Sequence, residues 1–73
     1  MGNAIIFITM AFFSGSWMVT GSYKDVADAA YYVSDRTDIP ASEIIEAIDK
    51  DKYFFTNRGL YGTKYQIVTS ELK

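Results

Sequence analysis

The sequence has no cysteine and no histidine, and these two gaps exclude a good deal of chemistry. Disulfide bridges, Cys/His zinc sites and Cys- or His-based nucleophilic catalysis all drop out. A chain without disulfides also fits a reducing, cytoplasmic compartment. There is a single proline, and no repeat or low-complexity stretch breaks the chain. Residues 1–21 carry no ionisable side chain at all, yet no long apolar run fills them. The run Ala4–Phe13 stops at Ser14-Gly15-Ser16, well short of the about 20 residues a membrane-spanning helix needs. No Lys or Arg precedes it, as a secretory signal would require. Ile5, Ile6, Phe7, Ile8 and Phe12 are β-favouring types bounded by a turn cluster, so a buried strand fits best. A signal or membrane anchor and a buried helix are the alternatives. Trp17-Met18-Val19-Thr20 either extends this strand or returns as a short partner before Gly21.

What remains is a folding composition. The chain has 73 residues, 49% apolar and 16% aromatic. That is one domain over residues 1–73, with no visible staple and an expected stability of roughly 3–5 kcal/mol. The net charge of −2 is unevenly spread. From Ser22 to Asp51 eight acids stand against Lys24, Arg36 and Lys50, whereas from Lys52 onward four bases stand against Glu71. An acidic middle therefore precedes a basic tail. Such asymmetry steers charged partners or simply solvates the surface.

The middle predicts two amphipathic helices. Val26, Ala29, Ala30 and Val33 recur at the spacing of one helical stripe, with Ser22 as N-cap and Asp25 suited to the dipole of the first turn. This helix is expected over about Tyr23–Ser34. Asp35-Arg36-Thr37-Asp38 reads as a turn. Pro40 then opens a second helix capped by Asp38, with Ala41, Ile44, Ile45 and Ile48 as its stripe. Beyond it, Lys52–Thr56 and Lys64–Thr69 are aromatic and β-branched, and the two glycines Gly59 and Gly62 lie between them. That pattern predicts an antiparallel hairpin, which needs a third strand or the helices for stability. The expected fold is α+β: a three-stranded antiparallel sheet of Ala4–Phe12, Lys52–Thr56 and Lys64–Thr69 packed against two short helices, in the order β-α-α-β-β. Ile8 and Ile48 are expected in its core.

Catalytic signals are weak. Asp25/Asp28 and Glu43/Glu46 are helical neighbours that could bind a metal or act as acid and base, but a solvated helix face explains them better. Neither Ser14-Gly15-Ser16 nor Gly59-x-x-Gly62 has the pattern or context of a phosphate loop. A chain this small also has little room for a deep pocket. No enzyme, cofactor or metal is expected, and the chain is expected to act by binding. The pair Gly21–Ala30 and Ile39–Ile48 resembles, in spacing and a few Ala/Ile positions, the small modular helix-turn-helix domains appended to homing nucleases. It departs where DNA would be read, because the outward positions are Glu43, Glu46 and Asp49, with Lys50 at the end, and carboxylates repel phosphates. The aromatics beside Arg58 and Lys64 could stack single-stranded bases, or simply form strand core and flank.

A second resemblance covers the whole chain. The length, the opening Met1-Gly2-Asn3-Ala4-Ile5-Ile6-Phe7, and the acidic two-helix middle before an aromatic hairpin resemble the small RNA polymerase-binding transcription inhibitors and antiterminators of lytic Xanthomonas phages. That resemblance implies binding to host polymerase near the start of the β′ subunit. It also implies hindered promoter engagement by the σ-containing enzyme and passage of terminators during elongation. Neither strong duplex DNA binding nor a membrane association is expected, and the setting would be the cytoplasm of an infected bacterium. Two surfaces compete as the partner-binding site: the acidic helix face of Glu43, Glu46 and Asp49, and the basic hairpin carrying Arg58 and Lys64. Tyr, Phe and Trp are the usual anchors of such interfaces, and six tyrosines supply candidates.

Overall fold

A computed structural model describes residues 4–72. The apolar opening does form a strand, β1 (Ala4–Phe13), and the chain then turns back at once into β2 (Ser16–Tyr23). Two helices follow, α1 (Val26–Ser34) and α2 (Ala41–Asp51). The chain closes with β3 (Tyr53–Thr56), a short 3₁₀ turn at Leu60–Gly62, and β4 (Tyr65–Leu72). The sheet is antiparallel with strand order β2-β1-β4-β3. The fold is α+β, but the three-stranded sheet in the order β-α-α-β-β is overturned. The described residues form four strands, and the additional one is β2.

The reason lies in two local features. Ser14 and Gly15 both take positive φ, 50° and 85°, which is the geometry of a two-residue type I′ hairpin turn rather than of a chain break. Further along, the β1–β2 register shifts between Thr9 and Met10, leaving Thr20 as an extra residue in β2. The Thr20 hydroxyl donates to the Thr9 carbonyl at 3.1 Å and meets the Thr9 hydroxyl at 2.8 Å. This bulge carries the strand through Gly21 to Tyr23. Ser22 consequently sits in the strand and does not cap α1; Asp25 does, accepting from the Ala27 N–H at 3.1 Å. α2 also starts differently from expectation. Pro40 itself occupies the N-cap with no side-chain cap, and Asp38 is engaged elsewhere.

Both helices lie on one face of the sheet. The core there consists of Ala29, Ala30, Val33, Ile39, Ile44, Ile48, Phe54 and Ile67, with Phe7, Tyr23, Tyr32 and Tyr65 packed around it. Strand alternation decides which residues reach this layer: Thr9 pairs with Ile67, Phe7 with Thr69, and Phe54 with Ile67. Ile48 joins this core as expected. Ile8 does not, because it faces the other way, opposite Val68.

The type I′ turn gives a direct test. Ser is an unfavourable residue at positive φ, whereas Asn-Gly suits both central positions. Ser14→Asn should therefore raise stability by about 0.5–1 kcal/mol, read as a higher urea midpoint at unchanged slope. An unchanged or lower midpoint would contradict the turn assignment.

Candidate protein-docking surface

Among the described residues, no helix covers the second face of the sheet. Register places Ile6, Ile8, Met10 and Phe12 of β1 there, with Gln66, Val68 and Ser70 of β4, Tyr53 and Phe55 of β3, and Trp17 and Val19 of β2. Side chains from the two edge strands lean inward across it. In a flat sheet, three strand spacings would put β2 and β3 about 14 Å apart, yet the Trp17 and Phe55 rings lie 6.2 Å apart, edge to face. Phe12 completes the row, 5.4 Å from Trp17. Beneath them the Gln66 amide N–H points at the Met10 sulfur, 3.2 Å away, and its oxygen accepts from the Tyr53 hydroxyl at 2.8 Å. The result is a small aromatic layer around one satisfied amide.

That layer is far from buried. Trp17 stays 37% exposed, Phe55 47%, Tyr53 42% and Val19 63%. On the other side of the projecting β1–β2 hairpin, Phe13 and Met18 are exposed at 65% and 52%. Single exposed apolar residues are ordinary, but a contiguous apolar patch marks a docking site. Among the described residues the open face carries no acidic side chain. The acids lie instead on the helices and their connections, with Glu71 on the helix-facing row opposite Ile5.

The two surfaces expected from sequence are arranged otherwise. Glu43, Glu46 and Asp49 lie exposed on α2, on the helix layer. Arg58 and Lys64 do not form one basic patch. Arg58 reaches back to the α1–α2 connection, its guanidinium 2.9 Å from the Asp38 carboxylate. That hydrogen bond and charge hold the Asp38 carboxyl below its usual range, and Asp38 in turn raises Arg58, with Glu43 adding a smaller contribution. Lys64 sits on the opposite side, its ammonium 5.2 Å from the Phe12 ring centroid, a cation–π position at the rim of the open face. So Arg58 belongs with the acidic helix layer and Lys64 with the aromatic one.

Tyr53 is one of the six tyrosines expected as candidate anchors, whereas Phe12, Trp17, Val19 and Phe55 are not individually marked as site residues by the sequence. The available signal was β1 itself: Ile5-Ile6-Phe7-Ile8 is apolar at consecutive positions, so both faces of that strand are apolar. Of the six tyrosines, Tyr31, Tyr53 and Tyr61 are exposed, whereas Tyr23 and Tyr32 stack together at 6.3 Å against the core. Among the described residues no group of three or more acidic side chains is placed to hold a metal ion, and no pocket is present. No described helix is long and apolar enough to cross a membrane. No protein-family model, curated protein or solved structure matches this chain.

Proposed function

We propose that this chain is a small regulatory protein that binds bacterial RNA polymerase, docking through the open face of its sheet. The observation carrying the docking surface is the aromatic layer of exposed Trp17, Tyr53 and Phe55 with half-buried Phe12, which has no acidic side chain among its described residues. Large rigid aromatic side chains are the usual centre of a protein interface, with charged groups at the rim. Lys64 is such a rim charge. The whole-chain resemblance to the phage inhibitors and antiterminators supplies the partner. It places the action in the cytoplasm of an infected host, where the bound protein hinders initiation and lets elongating polymerase pass terminators.

The alternative, a helix-turn-helix-like nucleic-acid module, has less support. The exposed charged residues of α2 are Glu43, Glu46, Asp49 and Asp51 against the single Lys50, and a duplex draws most of its affinity from Lys and Arg. The test is affinity capture with purified bacterial RNA polymerase, alongside a labelled duplex titrated at about 0.15 M salt. Polymerase is expected to be retained at stoichiometric levels and the duplex to stay free. Submicromolar duplex binding with a steep salt slope would reverse the ranking. Polymerase passing through unbound would remove the partner.

A further inference from the structure

The β1–β2 hairpin creates a free sheet edge as well as an open face. β2 is the outermost strand, and Ser16–Thr20 are all exposed. Sheet edges are commonly blunted by shortness, by charged side chains, by proline or by a bulge. The edge at β3 is four residues long and follows Lys52. β2 has eight residues without a charge or a proline. Its one guard is the bulge at Thr20, which leaves Ser16–Val19 as a regular stretch paired to Met10–Phe13.

We propose that the free edge of β2 over Ser16–Val19 takes an extended, uncharged segment of a partner protein as a fifth strand. This deepens the docking reading above and rests on it, because a strand added here is continuous with the apolar face. The side chains select the chemistry. Trp17 and Val19 flank the edge on the open face, and Met18 flanks it on the other, beside Phe13. An incoming strand therefore meets apolar surface on both sides and no charge. Main-chain hydrogen bonds give such pairing its affinity, and alternate side chains give its specificity. The segment should carry apolar or β-branched residues at alternating positions, and no proline.

Area argues against a second copy as the occupant. Four residues span only about 13 Å of strand. Two such stretches paired together fall far short of the roughly 800 Å² per partner of a stable interface. A segment belonging to a partner already seated on the open face needs only to add to that area. The bulge then ends the added strand at Thr20, keeping the pairing short and finite.

The test pans a displayed random dodecapeptide library against the intact chain, then measures the enriched peptides in solution. Enriched sequences are expected to share an uncharged, alternating apolar stretch without proline. Binding is expected to slow amide exchange within Ser16–Val19. Backbone N-methylation of the peptide at one set of alternate residues should weaken binding at least tenfold, with the other set tolerated. No enrichment, enrichment of charged or helical peptides, or indifference to N-methylation at both sets would overturn the proposal. So would a concentration-dependent dimer protecting the same amides without peptide, which gives the edge to a second copy. Loss of polymerase capture alone would remove the partner and leave the peptide result standing.

Discussion

Ile48→Asp is expected to unfold the domain. Ile48 lies on the inward stripe of α2 at 2% exposure, among Ile44, Phe54 and Ile67 in the helix-side core. An isolated carboxylate at that site has no described cation within its core to pair with. Burying it costs several kcal/mol or forces the group to protonate. A domain of this size has roughly 3–5 kcal/mol in total, so the folded state should disappear near neutral pH. Circular dichroism should show loss of the cooperative thermal transition. The conservative Ile48→Val should keep that transition and lose only about 0.5–1.5 kcal/mol. A cooperative melt at wild-type temperature for the aspartate variant would mean the helix layer is wrongly placed.

Gly59→Ala is the second large effect, for a steric reason. Gly59 sits where the β3–β4 connection passes close to the α1–α2 connection. It bridges Thr37, its N–H donates to the Thr63 carbonyl at 3.0 Å, and the adjacent Leu60 N–H donates to the Arg36 carbonyl at 3.1 Å. Its φ of −70° suits any residue, so conformational freedom is not the issue. A methyl group there would run into the Thr63 carbonyl oxygen and lie 2.6 Å from the Tyr65 ring. The ring can turn aside, but the backbone oxygen can move only if the bridge opens. Overpacking of this kind costs about 1–3 kcal/mol, and the upper end is expected. Gly59→Ala with Tyr65→Leu should recover little of it, because the backbone clash persists. Full recovery in the double variant would place the strain on the ring alone, and a neutral single variant would contradict the close approach altogether.

These cases show which parts of the structure were legible in the sequence. Helical spacing identified the stripes of α1 and α2, since Val33, Ile44 and Ile48 are buried where a period of 3.6 puts them. The strands β3 and β4 were legible from aromatic and β-branched content. β2 was legible only as one of two alternatives, a short returning partner or an extension of β1, because two facts about it are conformational. Ser14 adopts positive φ without being glycine, and Thr20 is accommodated as a bulge tied back to Thr9. Together these turn a glycine-flanked fragment into an eight-residue edge strand. The candidate site depends on the same strand. Without β2, Trp17 has no register, and nothing indicates that it crosses the sheet to Phe55. Arg58 and Lys64 are close in sequence yet fall on different sides, because the 3₁₀ turn at Leu60–Gly62 separates Arg58 from the start of β4. Charge counting along the chain cannot resolve that separation.

In the proposed docking mode the open face of the sheet, not the acidic helix layer, carries the partner. That placement is tested most directly by titrating purified bacterial RNA polymerase with two double variants beside the wild type. Trp17→Lys with Phe55→Lys places two charges on the aromatic layer. Glu43→Lys with Glu46→Lys reverses charge on exposed positions of α2, where stability should change by no more than about 0.5 kcal/mol. Circular dichroism first establishes that both remain folded. Truncating a central aromatic anchor commonly costs 2 kcal/mol or more, so the first variant should weaken binding by about 100-fold or more. The second should slow association a few-fold in a salt-dependent way, as expected for charges outside the centre of an interface. If the folded Trp17→Lys/Phe55→Lys variant binds like wild type while the Glu43→Lys/Glu46→Lys variant loses binding, the docking surface is the helix layer and the account is contradicted.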